Sequence, residues 1–412
     1  MSVGRALAGV VTPIYLALEG FSAFELAEYV LGVAVVSAGL STVVGLTSDR
    51  VGRRPFLLVM PLLTATAGAA FAFSGATPVL FVAGALGSFG RGSGAGAGAV
   101  GPYQPAESAF VTENMSAHHR NAAFGRLAFG SSVGAALGGL LALLVPSSHV
   151  HGAAATGIFR PAFLAIAATS ALAGVIAIAL EEPRRARATP ATLATLATAP
   201  KRRSLVRLPH KSRWLLYRLW VTNTVNGMAI GMFGPFVTYW FFRRYGVGAA
   251  QIGTLFAIIN AVTMASALSA AGIARRWGIV RTIGAVRTAQ ALLIVPMVLA
   301  PSFALAGAVY LVRMIVARVG MPLRQSYTIG LADPDERASV AALSNVPSQL
   351  AMAGSPLLTG YLFEEVSLSL PFEIAAALQF VNATSFWAFF RNHPPEEERT
   401  RSSPARAQGE GG

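Results

Sequence analysis

Twelve stretches of mainly apolar residues, each of about 20 and so long enough to cross a bilayer as a helix, recur along this chain of 412 residues. They fall near 3–20, 27–46, 56–74, 78–100, 124–145 and 158–180, then near 214–238, 251–272, 280–299, 303–323, 340–362 and 370–390. Inside lipid no water bonds the backbone, so a spanning segment must satisfy its own N–H and C=O groups. Apolar runs of this length do so as α-helices. Composition agrees, with 12% charged residues and a mean hydropathy of +0.57, against about 25% charged in soluble domains. The charges gather in the short stretches between the apolar runs.

The spans form two sets of six. Between them, 182–213 is rich in Pro, Ala, Thr and Arg and reads as a solvated linker. The expected organisation is therefore an N-terminal six-helix bundle at 1–181, a cytoplasmic linker at 182–213, a C-terminal bundle at 214–391, and a disordered tail at 392–412. The net charge of +14 comes from 30 arginines and two lysines. In a soluble protein that excess would point to nucleic acid; here the arginines border the spans and obey the positive-inside rule. One set of alternate loops holds Arg50, Arg53, Arg54, Arg120, the cluster from Arg184 to Arg213, Arg275, Arg276, Arg281, Arg337 and Arg391. The other holds little beyond Arg160, Arg243 and Arg244. Both termini and the linker are expected in the cytoplasm, in a monomer that crosses the cell membrane repeatedly. The first span carries Arg5 and could pass for a signal peptide, but no convincing cleavage site follows it, so it is counted as a span. With no cysteine, disulfides and thiolate metal sites are excluded. The six histidines (118, 119, 149, 151, 210, 393) are assigned to loops and tails as solvated polarity, so neither metal nor cofactor is expected.

Spans two and three are joined by Gly45-Leu-Thr-Ser-Asp49-Arg50-Val-Gly52-Arg53-Arg54-Pro55. The two glycines permit a tight turn and close helix approach. Asp49 is a lone acid among three arginines at a helix boundary, where it can accept bonds from them or from a helix N-terminus. In this fixed order the stretch resembles the loop between helices two and three of the major facilitator superfamily, and the six-plus-six plan extends the resemblance over nearly the whole chain. The resemblance implies an all-α integral membrane fold: twelve transmembrane helices in two pseudo-symmetric bundles, with a solute site between them and rocking alternating access. It further implies a conformational switch in which Asp49, Arg50 and Arg53 help hold the cytoplasmic side closed. A degenerate copy, Ala271-Gly-Ile-Ala-Arg275-Arg276-Trp-Gly278, stands between spans eight and nine; it keeps the turn and replaces the acid with Arg275.

Span four contains Arg91 about midway, within a glycine-rich run that continues to Pro102-Tyr103-Gln104-Pro105-Ala106-Glu107. Gly96 to Gly101 matches the dinucleotide pattern GxGxxG, but no βαβ unit surrounds it, and small residues in an apolar helix serve close packing. An arginine in lipid must face the bundle interior and find a partner. Arg91 and Glu107 are the proton-coupling candidates, the first by likeness to proton-linked members of the superfamily, the second as the best-placed carboxylate. Glu25 and Glu28 are held in reserve. Span five reads Gly130-Ser-Ser-Val-Gly134-Ala135-Ala-Leu-Gly138-Gly139, similar to the superfamily's antiporter motif but with Ala135 in place of proline. The plain alternative is a small-residue helix interface. In the second half the polar positions within spans are Arg218, Asn223 and Asn226 on span seven, with Arg313, Arg318, Arg324 and Gln325 on span ten. Asn223 and Asn226, three apart, share a helix face. Tyr103, Gln104, Asn223, Asn226, Arg313 and Gln325 are the candidates for lining a substrate cavity.

No GxxxxGK phosphate loop exists, which disfavours ATP-driven transport. No clustered nucleophile, ligand set or carboxylate pair supports a membrane enzyme. The expectation is a secondary active transporter that exchanges a hydrophobic or amphiphilic compound for protons and exports it, with lipid and small solute as its partners and no nucleic acid. An organic anion or sugar carrier, symporter or uniporter, is the alternative, because embedded arginines outnumber acids and suit carboxylates and phosphates. A sensor on a carrier fold is the non-transport reading.

Overall fold

The computed structural model describes residues 1–89, 102–114, 117–146, 153–179, 211–331 and 343–391, together with 333, 336 and 340. Its helices are α1 (Ser2–Leu18), α2 (Ala23–Val51), α3 (Arg54–Phe73), α4 (Thr77–Gly87), α5 (Gln104–Asn114), α6 (Ala117–Leu141), α7 (Ala153–Ile178), α8 (Arg213–Phe233), α9 (Val237–Tyr245), α10 (Ala249–Trp277), α11 (Ile279–Leu299), α12 (Phe303–Leu331), α13 (Val346–Glu365) and α14 (Leu370–Phe390). Among the described residues six helical segments are long and apolar enough to cross a membrane: Ala23–Ser48, Arg54–Phe73, Ala123–Leu144 (α6 and the 3-10 turn that follows it), Ala154–Ile178, Ile279–Leu299 and Phe303–Gly320. Of the expected span four, α4 is described as far as Phe89, and 90–101 lie outside the described residues; α4 ends where Ser88 caps it in the left-handed region at φ 57°. The expected span seven is built from a pair of helices, α8 and α9, divided at Gly234-Pro235-Phe236. Proline lacks the amide that would continue the ladder.

Packing follows the two sets of six. In the first, α3 lies along α7, and α1 packs on α6 and α7; in the second, α8 lies along α13 and α14, and α11 along α12 and α14. α1 sits deepest, with nearly every residue from Gly4 to Leu18 buried, so this span belongs to the fold's core. Small residues set the spacing: a side-chain carbon at Gly68 would meet the α7 backbone at Phe163 and Ala167 at 2.9 Å.

The turns that end α2 and α10 repeat each other. Gly52 has φ 102° and ψ 167°, and Gly278 has φ 84° and ψ 148°. Both lie in a backbone region that is essentially glycine's own. The degenerate second motif has kept its turn, as its glycine predicts.

Several contacts join the bundles among the described residues. α6 meets α10 where Gly139 faces Gly253 and Ala257; α2 meets α13 where Ala23 and Ala27 face Gly360; and α1 meets α9 where Thr238 Oγ1 donates to Gly9 O at 3.4 Å. The Phe24 amide also donates to Glu364 Oε2 at 3.1 Å. The α6–α10 and α2–α13 contacts lie on the side opposite the Gly52 and Gly278 turns.

Candidate functional site

The N-terminal bundle brings several expected residues into one cavity of about 460 Å³. Tyr103, Gln104 and Glu107 of the α5 region line it with Ser2 of α1, Leu57 and Pro61 of α3, Gly130 and Ser131 of α6, and Ile176 of α7. Gln104 is exposed, Glu107 half-buried, and Tyr103 buried at 7%. Tyr103 packs with Val44, Met60 and Ala106 and bonds to Ser2 and Arg5, so it belongs to the bundle's core as much as to the cavity. Arg5 stands over the Tyr103 ring at 5.7 Å and is 6% exposed. The partnership expected between Arg91 and Glu107 is not described, because Arg91 and the whole of 90–101 lie outside the described residues. Two described arginines stand near this site: Arg126 of α6, which is exposed and lines the cavity, and Arg5. The signal of Arg5 was in the sequence, as a charge at the head of an apolar span, but it reads equally well as a topology determinant.

Of the reserve carboxylates, Glu25 is committed to a helix cap. It accepts the Ser22 amide at 2.8 Å while its own amide donates to Ser22 Oγ at 3.2 Å. Glu28 is exposed.

The motif after span two is helical through Val51, so Gly45 lies within α2 with nothing near its Cα substituent position, and Gly52 alone makes the turn. Asp49 and Arg50 fall in the last turn of α2, and their side chains lie outside the described residues. Arg53 is buried, and Arg54 donates to the carbonyl of Ile178, tying the turn to the end of α7.

Span five behaves as a packing face. A Cβ at Gly134 would touch Ser2, one at Gly138 would collide with the Val3 carbonyl, and one at Gly139 would reach Gly253 O at 2.6 Å. Gly130 has open space and borders the cavity instead.

In the C-terminal bundle, Asn223 Nδ2 donates to Ser344 O at 2.8 Å, and Asn226 Oδ1 accepts from Asn382 Nδ2 at 3.1 Å. Asn382 Oδ1 in turn accepts from Arg287 at 2.5 Å, and Arg287 lies over Phe386 at 4.5 Å. Both asparagines thus bond between helices, the plain reading of their shared face. Arg287 was not singled out in the sequence, although an arginine well inside an apolar span carries the same signal as Arg91. Arg313 is buried at 5% with its guanidinium 4.2 Å from the Phe233 ring. The side chain of Gln325 lies outside the described residues, as do those of all six histidines; His118 and His119 fall in α6 and not in a loop. Among the described residues no group of three or more His, Cys, Asp or Glu is placed to hold a metal.

The profile of the Major Facilitator Superfamily matches residues 1–320 and 219–409. The chain belongs to that superfamily. Solved structures agree in fold: the nucleoside transporter NupG at TM-score 0.67 and 13% identity, covering 95% of this chain and 97% of that one; the inward open xylose transporter XylE from E. coli at 0.66 and 14%, covering 94% of each; and an inward-facing, occupied bacterial homologue of the human lysosomal transporter Spinster at 0.67 and 14%, covering 95% and 94%. No curated protein matches the chain. As a superfamily member it is a multi-pass membrane transporter of small solutes and not an enzyme. Its helices form the superfamily's two bundles, with α8–α9 as the broken seventh span.

Proposed function

We propose that this transporter couples export of an amphiphilic solute to proton entry, with Glu107 as the group that exchanges the proton. The supporting observation is that Glu107 lines a cavity inside the N-terminal bundle, with apolar walls from α3, α6 and α7 and the cation Arg126 in the same lining. The other described acids lie at helix ends, in short connections or on an exposed face, as Glu19, Glu336, Glu365 and Glu28 illustrate. A carboxylate favours its neutral form where water is excluded and its charged form beside a cation. Rocking of the bundles would change the access of solvent to Glu107 and so alternate its proton affinity. Asp49, Arg50, Gly52, Arg53 and Arg54 form the switch at the turn in this reading, with both termini on that side of the membrane.

Proteoliposomes holding the purified protein test the coupling. Glu107→Gln should abolish transport driven by a pH gradient while substrate exchange at equal pH persists. Full pH-driven transport in that variant excludes Glu107 as the coupling group.

A further inference from the structure

The C-terminal bundle carries a buried cation that no acid of the bundle can neutralise. Arg313 lies ten residues into α12, about 15 Å along a helix at 1.5 Å per residue, which is midway through a hydrocarbon core of about 30 Å. Residues 183–332 contain no Asp or Glu, so α8 to α12 offer it no counter-ion. The described acids of this half, including Asp333, Glu336 and Glu364, stand at or beyond helix ends. Two other arginines of the interior are supplied differently. Arg218 donates to Phe389 O at 3.0 Å, and Arg287 donates to Asn382 within the asparagine chain. Arg313 makes no hydrogen bond among the described residues, and its Nε is buried without a partner. Its neighbour is the π face of Phe233, the last residue of α8.

Phe233 immediately precedes the break between α8 and α9, and five residues later Thr238 makes the contact with Gly9 of the other bundle. Arg313 therefore stands behind a discontinuity of span seven, next to where the bundles meet. A guanidinium held inside lipid without a counter-ion is costly, and such residues mark the paths of solutes. Arginine presents a planar fork that matches carboxylate, sulfonate or phosphate oxygens. Phe233, Tyr310 and Phe372 cluster beside it, with Phe233 4.7 Å from Phe372 and 5.9 Å from Tyr310.

We infer that the transported solute is an amphiphilic organic anion, with its acidic group bound by Arg313 and its apolar body against the aromatic cluster at the α8–α9 break. This names the solute class for the transporter and rests on that assignment, not on coupling through Glu107.

Equilibrium binding to the whole protein in detergent, without any gradient, separates the two. The probes share one apolar body: 4-phenylbutyrate, 4-phenylbutanesulfonate and 4-phenylbutyl phosphate against 4-phenylbutylamine and 4-phenylbutanol, read by equilibrium dialysis and by melting temperature. At least one anion should bind about tenfold or more tighter than the amine and alcohol, as expected for a charge-assisted pair. Arg313→Gln should remove that preference, and Arg313→Lys should keep part of it. Equal binding of the alcohol or amine, or no anion preference across the panel in the wild-type protein, overturns the inference whatever the variants do. So does an unchanged preference in a monodisperse Arg313→Gln protein.

Discussion

Gly52 and Gly278 show how much one residue type decides at the ends of α2 and α10. At φ 102° and ψ 167°, any side chain on Gly52 meets its own backbone. Gly52→Ala should lower stability by about 1–3 kcal/mol, visible as a fall in the melting temperature of the detergent-solubilised protein. Gly45→Ala is the contrast: its position lies within α2 with nothing within 4 Å of an added carbon, and alanine suits a helix better than glycine by about 1 kcal/mol. It should leave the melting temperature unchanged or raise it. Equal losses from the two substitutions would mean that the turn conformation is not what Gly52 supplies. Both glycines were legible in the sequence as a pair; which one turns the chain depends on how far α2 continues, and no local signal ends it before Val51.

At the scale of elements, the small residues of α6 divide their work by position. Gly134 and Gly138 let α1 approach within the bundle, whereas Gly139, one residue on, lets α10 approach from the other bundle. The latter contact should be sensitive to the transport cycle, since rocking separates one face of the molecule while it closes the other. Gly139→Val places two methyl groups where Gly253 O stands and should hold this end apart. The cysteine-free chain allows the distance to be read with spin labels at Leu144→Cys and Gln251→Cys. The distance distribution should shift to longer values in the Gly139→Val background. An unchanged distribution would show that α6 and α10 do not close here. The sequence presented the run as a small-residue interface, but it could not say which glycine faced which neighbour. Residues three or four apart on a helix share a face, and only the packing assigns each face its partner.

For the whole molecule, the arginine bias predicts topology. The linker and both termini should lie in the cytoplasm, because lysine and arginine in short loops are retained on that side. A cysteine at Ser204 should be labelled by a membrane-impermeant maleimide only after the membrane is opened or inverted. Labelling from outside intact cells would reverse the orientation. This rests on charges that stand outside the spans, so it is independent of how the helices pack.

The sequence alone determined the all-helical membrane plan of two bundles and membership of the superfamily. Each of these follows from short-range facts: apolar length against bilayer thickness and a motif of fixed spacing. Tertiary structure alone decided what the embedded polar groups touch. Tyr103 turned toward Arg5, Asn226 joined Asn382 and Arg287, and Arg313 was left facing an aromatic ring. An apolar helix carries little record of its own rotation when both lipid and protein interior are apolar, so the partners of a buried arginine are settled by the neighbouring helices and not by the residues beside it in the chain.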